Sequence, residues 1–445
     1  MKASPLEIGA MAAIAIATSL YVLLFHFPAP YFDEWDLAPM LEAAHAGALD
    51  LGDLFAIHGG HWHASAYAIF LPLARLTHWS QSAEAVASLV FLAGACALLL
   101  RMGGSFAQSS PGVRLGTLGV ATVFFCFSPD QSSNLLWTFQ LSVFVSLFGA
   151  ALCLASLAQE RFTLLHFVVA LTGMAIGILS YATSFALFPA GLVLIAARTE
   201  AKWLRRALYA VIWVIVGVAA MAAFLEAQRH SPFGADATAG VLSRSDFLPF
   251  LIGFEINYLG AAIAHSSPAL IPPLAVAGPV LALAAAWFLW KRGVALRVLA
   301  APLALCVFGV GAGLLCAAGR IHFGPGQGTN GRYVSFSGWF WLGAAWLLLA
   351  ALAQIKSTLL RRGAITLIVL CALLKLASSV QAANKNIRVT REVSAVVTAM
   401  RADPAHAAQA AEAIAWERQD IARHIAFIQR KRWSVFREPQ PAPRS

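Results

Sequence analysis

Uninterrupted apolar stretches of about 18 to 22 residues recur along most of this chain. A helix rises about 1.5 Å per residue, so each stretch is long enough to cross a hydrocarbon core about 30 Å thick. Hydrophobic residues make up 60% of the 445 residues and charged residues only 12%, a balance that soluble globular domains do not show. The sequence therefore predicts an all-α polytopic membrane protein and excludes a soluble enzyme.

The apolar stretches predict eleven membrane-spanning helices. They cover residues 8–27, 83–100, 115–128, 135–158, 163–180, 183–197, 204–225, 270–290, 296–318, 335–354 and 362–382. Two further apolar segments, 61–79 and 247–264, are predicted to lie at the outer surface as interfacial or re-entrant helices. The first of these contains Pro72 together with histidine and arginine residues, which suits an interface better than a hydrocarbon core.

Lysine and arginine residues concentrate in the short loops on one side of this arrangement. The formal net charge is +10, from 31 Lys and Arg against 21 Asp and Glu. The positive-inside rule places this side, with the N-terminus, in the cytoplasm. The membrane domain is then residues 1–382 with a first outer loop at 28–82, and a helical tail at 383–445 is predicted outside. The charge suits phospholipid headgroups better than nucleic acid, so no nucleic-acid partner is expected.

The segment YFDEWD, residues 31–36, follows directly on the first span. Three carboxylates within four positions are costly beside a membrane unless water, cations or a substrate compensate them. An acidic loop start between interfacial aromatic residues, with Trp35 as a headgroup-level anchor, would account for the composition. The functional alternative is that Asp33 or Glu34 is a general base for an acceptor hydroxyl, with Asp36 on the same face as Asp33.

Three histidines, His58, His61 and His63, lie close together in HGGHWH. They are either ordinary histidines at an aqueous interface or polar contacts for a substrate. The spacing that places two zinc ligands on one helix face is absent, and no nearby cysteine completes a ligand set. We therefore predict no metal site and no cofactor.

The segment GRIHFGPGQGTNGRY, residues 319–333, is Gly-rich and polar. Glycine backbone amides can form an anion-binding nest, and Arg320 and Arg332 could hold a phosphate from both sides. The alternative is a connector whose two arginines reach lipid headgroups. Earlier in the chain, Gln140 lies within an apolar run and needs an interhelical partner or a cavity, so it is a candidate pocket residue.

The order of these motifs resembles that of the GT-C superfamily of polyprenyl-phosphate-sugar glycosyltransferases, and most closely a bacterial branch of it. The segments that carry the resemblance are YFDEWD, HGGHWHASAYAIFLPL from His58, NLLWTFQ from Asn134, SYATSFALFP from Ser180, GRYVSF from Gly331, and RKRWSVF ending at Phe436. One departure is that the Glu and Arg of the branch's HNEHR-type motif are replaced by Gly60 and Trp62.

The resemblance implies a GT-C-like fold with juxtamembrane helices in the first outer loop, in a bacterial inner membrane, with an active site that faces the periplasm. It implies transfer of a hexose or pentose from a polyprenyl-phosphate donor to a glycan or lipid hydroxyl of the cell envelope. Asp33 would be the base, and Glu34 or Asp36 would order the site. Arg332 and Arg320 would bind the donor phosphate, and the substrate-binding candidates are His58, His61, His63, Gln140 and Tyr333.

Two alternative functions are compatible with the same sequence. A lipid-linked-glycan flippase or secondary transporter would place charged groups near the middle of the bilayer, at interrupted helices. An O-antigen polymerase or ligase would concentrate its polar residues in a large late outer loop. Here most polar groups lie at the outer ends of spans, starting directly after the first one, which favours the glycosyltransferase.

Overall fold

A computed structural model describes residues 3–110, 112–198, 202–231, 246–416 and 420–437. Within these ranges every regular element is a helix, and the β pairing is limited to an isolated bridge between His58 and His61. Parts of the predicted outer segments, at 232–245, 417–419 and 438–445, lie outside the described residues. The chain is an all-α polytopic membrane protein, as its hydropathy predicts.

Short 3₁₀ turns link many of the α-helices. In chain order the α-helices of the described ranges are α1 Pro5–Phe25, α2 Leu37–Ala46, α3 Leu51–Phe55, α4 Ala64–Thr77, α5 Gln81–Ser109, α6 Leu115–Cys126, α7 Ser132–Leu136, α8 Leu141–Leu157, α9 Leu164–Ile178, α10 Leu187–Ala196, α11 Trp203–Arg229, α12 Phe247–Ala264, α13 Ile271–Lys291, α14 Leu296–Ala318, α15 Val334–Gln354, α16 Thr358–Ala402, α17 Ala407–Ala411 and α18 Ile421–Lys431.

Nine helices of the described ranges are long and apolar enough to cross a membrane. They are α1, α5, α8 with the turn before it, α11, α12, α13, α14, α15 with the turn before it, and α16. Three predicted spans, 115–128, 163–180 and 183–197, correspond instead to α6, α9 and α10, which have 12, 15 and 10 residues. A perpendicular crossing needs roughly 20 residues, so the length criterion does not support these three and the count of eleven stays a prediction.

The two segments predicted at the outer surface differ in length. Helix α4, with 14 residues and Pro72 inside it, is shorter than a span. Helix α12 has 18 residues and meets the length and hydropathy of a span, which the sequence analysis does not expect for 247–264. This helix packs against the Gly-rich loop. Asn257 Nδ2 donates to the Pro325 carbonyl at 3.0 Å, and Gly328 packs against the Phe254 carbonyl. Helix α12 therefore lies beside residues 319–333.

Basic loop residues gather at one end of the bundle, here called the basic end. Arg101 donates to Gln159 Oε1 at 3.3 Å, and Arg198 donates to the Gln159 carbonyl at 2.6 Å. Arg198 and Arg297 line the same small cavity there. The loops at 128–140 and 319–333 contact one another at the opposite end, here called the polar end, where Tyr181 of the 180–184 turn stacks on Phe336.

Small residues allow the central helices to approach closely. A Cβ atom at Gly149 in α8 would lie 2.6 Å from the Gly173 carbonyl in α9, so only glycine fits at this crossing. Close packing between small residues is a common way for helices to associate where lipid removes the hydrophobic driving force. This contact brings the polar ends of α8 and α9 together.

One ion pair is fully enclosed near the polar end. Lys375 Nζ in α16 lies 2.5 Å from Asp130 Oδ2, and the two side chains are 1% and 2% exposed. The same ammonium donates to the Ala262 carbonyl at 3.1 Å and lies 5.2 Å from the Phe125 ring centroid. Helix α16 has 45 residues, so at 1.5 Å per residue it is roughly 68 Å long and extends well beyond a bilayer.

Candidate functional site

The acidic motif forms a 3₁₀ helix over Phe32–Asp36, directly after α1. The Phe27 amide donates to the Leu136 carbonyl at 2.9 Å, which fixes the chain where it leaves α1. Trp35 is fully buried and packs edge-on against Trp79 at 6.1 Å. The prediction of Trp35 as a headgroup-level anchor is therefore wrong, because the indole holds the acidic turn against the outer-loop helices instead.

Glu34 points into the protein. It is 0% exposed, and Thr138 Oγ1 donates to its Oε1 at 2.8 Å. The buried carboxyl group of Glu84, at the start of α5, adjoins it. Burial raises the pKa of Glu34 from 4.5 to about 7, against the opposing effect of these hydrogen bonds. Glu34 is thus placed to hold the motif in position, whereas the side chains of Asp33 and Asp36 are more exposed.

Glu34→Gln should remove part of the pH dependence of stability. Since the folded-state pKa of Glu34 is about 7 and its ordinary value is 4.5, the folded protein keeps a proton that the unfolded chain releases. The contribution of Glu34 to stability is therefore full below pH 4.5 and is lost as pH rises through 7. Melting temperatures in detergent at pH 5 and pH 8 should therefore differ less in the variant than in the wild type.

The matched control for this comparison is Glu226→Gln. Glu226 is 60% exposed at the end of α11, so its replacement should leave the pH dependence as it is in the wild type. An identical pH dependence in the wild type and Glu34→Gln would mean that the Glu34 carboxyl is already ionised in the folded protein.

Asp33 and Asp36 lie on the accessible side of the turn. Asp33 Oδ1 accepts a hydrogen bond from Trp416 Nε1 of the tail, and the Trp416 ring packs on Phe32 at 5.0 Å. Asp36 Oδ2 lies 3.6 Å from His58 Nε2, with side chains 39% and 17% exposed. Asp33 therefore faces the tail, and Asp36 faces the histidine segment.

The three predicted histidines form a cluster. His58 and His61 exchange two backbone hydrogen bonds of 2.9 Å, around a turn in which Gly59 and Gly60 adopt φ values of 56° and 85°. These are left-handed conformations that glycine adopts without strain. The His63 ring lies 5.7 Å from that of His58 and 6.0 Å from that of His61. The glycine turn therefore brings the three imidazoles together.

Two of these imidazoles are kept neutral. Burial lowers the pKa of His63 to about 3, and burial together with the nearby charge of Arg320 lowers the pKa of His61 well below 6.5. Neutral imidazoles offer one donor and one acceptor, which suits contact with hydroxyl groups. Among the described residues, no group of three or more His, Cys, Asp or Glu side chains is placed to hold a metal ion.

The Gly-rich loop brings its two arginines to this cluster. His61 stacks on Tyr181 with ring centroids 3.8 Å apart. Burial raises the pKa of Tyr181, and the positive charges of Arg320 and Arg332 offset part of that rise. Both guanidinium groups therefore lie within electrostatic reach of the Tyr181 hydroxyl. We use the name histidine–arginine site for His58, His61, His63, Tyr181, Arg320 and Arg332.

Backbone contacts hold Arg332 in place. Asn134 Nδ2 donates to the Arg332 carbonyl at 2.7 Å, and the Arg332 amide donates to Asn330 Oδ1 at 3.1 Å. Tyr333 is 3% exposed and packs against Phe254 of α12 at 5.7 Å. Arg332 thus stands on a short turn that is fixed from both sides, and the Tyr333 hydroxyl lies within electrostatic reach of Arg320 and Arg332.

Gln140 lies at the end of the turn that precedes α8. It is 5% exposed, and its Oε1 is buried without a hydrogen-bond partner among the described residues. Its neighbour Phe139 packs against His58 and His63 at 5.6 and 5.4 Å. Gln140 is therefore attached to the histidine cluster through Phe139, but no described contact joins it to the arginines.

The structure thus joins segments that are remote in sequence. The acidic motif meets the histidines through Asp36, and the histidines meet the Gly-rich loop through Tyr181. Neither Tyr181 nor Trp416 is predicted as a site residue from the sequence. Tyr181 lies in the SYATS turn. A polar turn between two apolar runs is a sequence pattern from which a site residue could have been predicted. No local pattern marks Trp416, which is 383 residues from its partner Asp33.

Comparison with protein-family models, with curated proteins and with solved structures finds no match for this chain. The chemistry of the site is therefore inferred from the side chains that form it. Two arginines can bind an anion with several oxygens, neutral imidazoles can bind hydroxyl groups, and accessible carboxylates can accept a proton.

Proposed function

We propose that this protein is an integral membrane glycosyltransferase of the GT-C type, which moves a sugar from a polyprenyl-phosphate donor to a hydroxyl of the cell envelope. The observation that carries the proposal is the histidine–arginine site. It places two arginines suited to a phosphate beside three histidines, and Asp36 of the acidic turn lies 3.6 Å from His58 of that cluster. The site lies at the end of a bundle of apolar helices, a location that suits a phosphate attached to a lipid better than a soluble anion.

The proposed reaction exchanges one bond at the anomeric carbon. Asp33 accepts the proton of the acceptor hydroxyl while the acceptor oxygen forms a bond to that carbon. The bond from the carbon to the phosphate oxygen breaks, and its electron pair leaves with the polyprenyl phosphate. Arg332 and Arg320 stabilise the charge that develops on the leaving phosphate through charge-assisted hydrogen bonds. His61 and His63, being neutral, bind sugar hydroxyls and do not compete for the phosphate.

The distribution of charge supports an orientation for the reaction. Arginines of the connecting loops gather at the basic end, and the positive-inside rule assigns that end to the cytoplasm. The histidine–arginine site lies at the polar end, which then faces the periplasm of a bacterial inner membrane. Nucleotide sugars are absent there, and a sugar on a lipid carrier can be presented at the level of the headgroups.

Arg332→Ala should weaken binding of undecaprenyl phosphate by about 10- to 100-fold, because charge-assisted hydrogen bonds contribute about 1.5–3 kcal/mol. Arg332→Lys should restore only part of this affinity, since an ammonium group cannot bind two phosphate oxygens in the planar arrangement of a guanidinium. Affinity can be measured in nanodiscs by the shift in melting temperature, with undecaprenol as the probe that lacks phosphate.

The matched control for Arg332 is Arg388→Ala, which removes one exposed arginine from α16. It should bind undecaprenyl phosphate as the wild type does. If Arg332→Ala also binds like the wild type, or if undecaprenol binds as well as its phosphate, the arginines of the Gly-rich loop contact ordinary headgroups and the proposed donor site is wrong. Release of free undecaprenyl phosphate from hexose- and pentose-linked donors, added with candidate acceptors, tests the reaction itself.

A flippase or transporter is the second candidate, because Lys375 and Asp130 form a charged pair inside the protein. Buried charges within membrane domains commonly mark the path of a substrate or ion. Movement of an unmodified lipid-linked glycan across proteoliposome membranes, lost on neutralising this pair and without release of polyprenyl phosphate, would favour transport over transfer.

A further inference from the structure

A cavity of about 580 Å³ lies at the polar end, between the ends of α1 and α5 and the last described residues of the tail. Its lining includes His26 and Ser82 from the two helix ends and Arg401 and Arg437 from α16 and the tail. None of its lining residues belongs to the histidine–arginine site. The cavity is therefore a separate place where a ligand could bind.

The lining of this cavity is positively charged. It contains Arg401 and Arg437 and, among the described residues, no aspartate or glutamate. Each guanidinium is held by one backbone contact: Arg401 Nε donates to the Val435 carbonyl at 2.7 Å, and Arg437 Nη1 donates to the Thr77 carbonyl at 3.2 Å. These contacts leave other N–H groups of each arginine available, so both side chains are positioned to bind an anion.

Gln81 forms part of the inner wall of the cavity. Its side chain is 4% exposed, and its Oε1 accepts a hydrogen bond from Ser434 Oγ at 3.1 Å. Its side-chain amide lies within hydrogen-bonding reach of the buried Glu34 carboxyl group. Gln81 therefore fixes this wall of the cavity both to the acidic turn and to the tail.

Apolar surface lies directly beside this polar lining. Along α1, Leu23 and Leu24 are 42% and 72% exposed, and along α5, Val86 and Val90 are 47% and 63% exposed. Both pairs lie within about three turns of the cavity and belong to helices that qualify as spans. A ligand with an anionic head and a hydrocarbon tail matches this combination better than a soluble anion does.

We propose that the cavity binds the phosphate headgroup of an anionic phospholipid, with its acyl chains along α1 and α5. The bound phosphate would bridge Arg401 and Arg437. Because Arg401 ends α16 and Arg437 follows α18, the lipid would tie the tail to the first and second apolar helices. This site is independent of the proposed glycosyltransferase activity.

The test is native mass spectrometry of the full-length protein released from nanodiscs. The nanodiscs contain phosphatidylcholine and about 20% phosphatidylglycerol, so that the anionic lipid is the minor component. They should yield protein that retains phosphatidylglycerol. Arg401→Ala/Arg437→Ala should retain at least about 10-fold less, as expected for loss of two charge-assisted contacts. Arg391→Ala, which removes another exposed arginine of α16, should retain as much as the wild type.

Photo-activatable phosphatidylglycerol provides a readout on the unaltered protein. The proposal expects labelled peptides that contain His26 or Ser82, and a choline analogue should not label them. Equal retention by the double variant, or equal labelling by both lipids, would overturn the proposal. Displacement of the lipid by millimolar inorganic phosphate would also overturn it, because the site would then bind a free anion without need of acyl chains.

Discussion

Asp33→Asn should lower the rate of sugar transfer by about 10²–10⁴-fold, the usual contribution of a general base. The carboxamide has nearly the same size and can still accept the hydrogen bond from Trp416 Nε1, so the fold of the turn should persist. It cannot take the proton of an acceptor hydroxyl, and the loss should fall on turnover. Release of polyprenyl phosphate by the purified protein, with a donor and acceptor that the wild type uses, gives the measurement.

Asp36→Asn is the matched control, because the two carboxylates lie on the same turn and differ in their partners. Asp36 lies beside His58 at 3.6 Å, so its replacement should disturb the histidine cluster and weaken substrate binding more than turnover. A large loss of turnover in Asp36→Asn together with an active Asp33→Asn would transfer the role of base to Asp36. Full activity in both variants would reject the acidic turn as the source of the base.

Lys375→Met should destabilise the protein by about 3–5 kcal/mol, because it leaves the carboxylate of Asp130 buried without its counterion. Asp130 is 2% exposed, and its Oδ1 has no hydrogen-bond partner among the described residues. Methionine fills the space of the lysine side chain. The loss of stability therefore measures the effect of the missing charge and not that of a cavity. The measurement is the loss of folded protein on heating in detergent, followed by size-exclusion chromatography.

The double variant Asp130→Asn/Lys375→Met separates the charge pair from the packing around it. Replacing both partners of a buried pair is often close to neutral, so the double variant should regain most of the stability that either single variant loses. The matched control is Lys385→Met, on the same helix but exposed. Additive losses in the double variant would show that the two charges do not compensate each other in the folded protein.

Much of the fold was predictable because hydrocarbon thickness imposes a length on each span. Eight of the predicted spans coincide with helices that meet that length, whereas α6, α9 and α10 are short. Hydropathy alone does not separate a short helix enclosed by neighbours from one that faces lipid. The same limit applies to α12. Its length is that of a span, although it packs against the Gly-rich loop.

The candidate site was predictable in its residue types but not in its pairings. Charges and histidines at the ends of apolar runs stand out because they are costly near lipid, which marks Asp33, His58 and Arg332. The direction in which each side chain points depends on tertiary packing. Glu34 and Asp33 are adjacent in sequence, yet one is enclosed beside Thr138 and the other meets Trp416 from the tail.

The separation of Asp130 and Lys375 in sequence has a consequence for biogenesis. The two residues are 245 positions apart, so at roughly 5–20 residues per second the ribosome makes the lysine about 12–50 s after the aspartate. Until α16 inserts, the Asp130 side chain lacks the counterion that it has in the folded protein. Closure of the ion pair therefore marks the arrival of the last span, and a chain truncated before α16 would leave Asp130 without this partner.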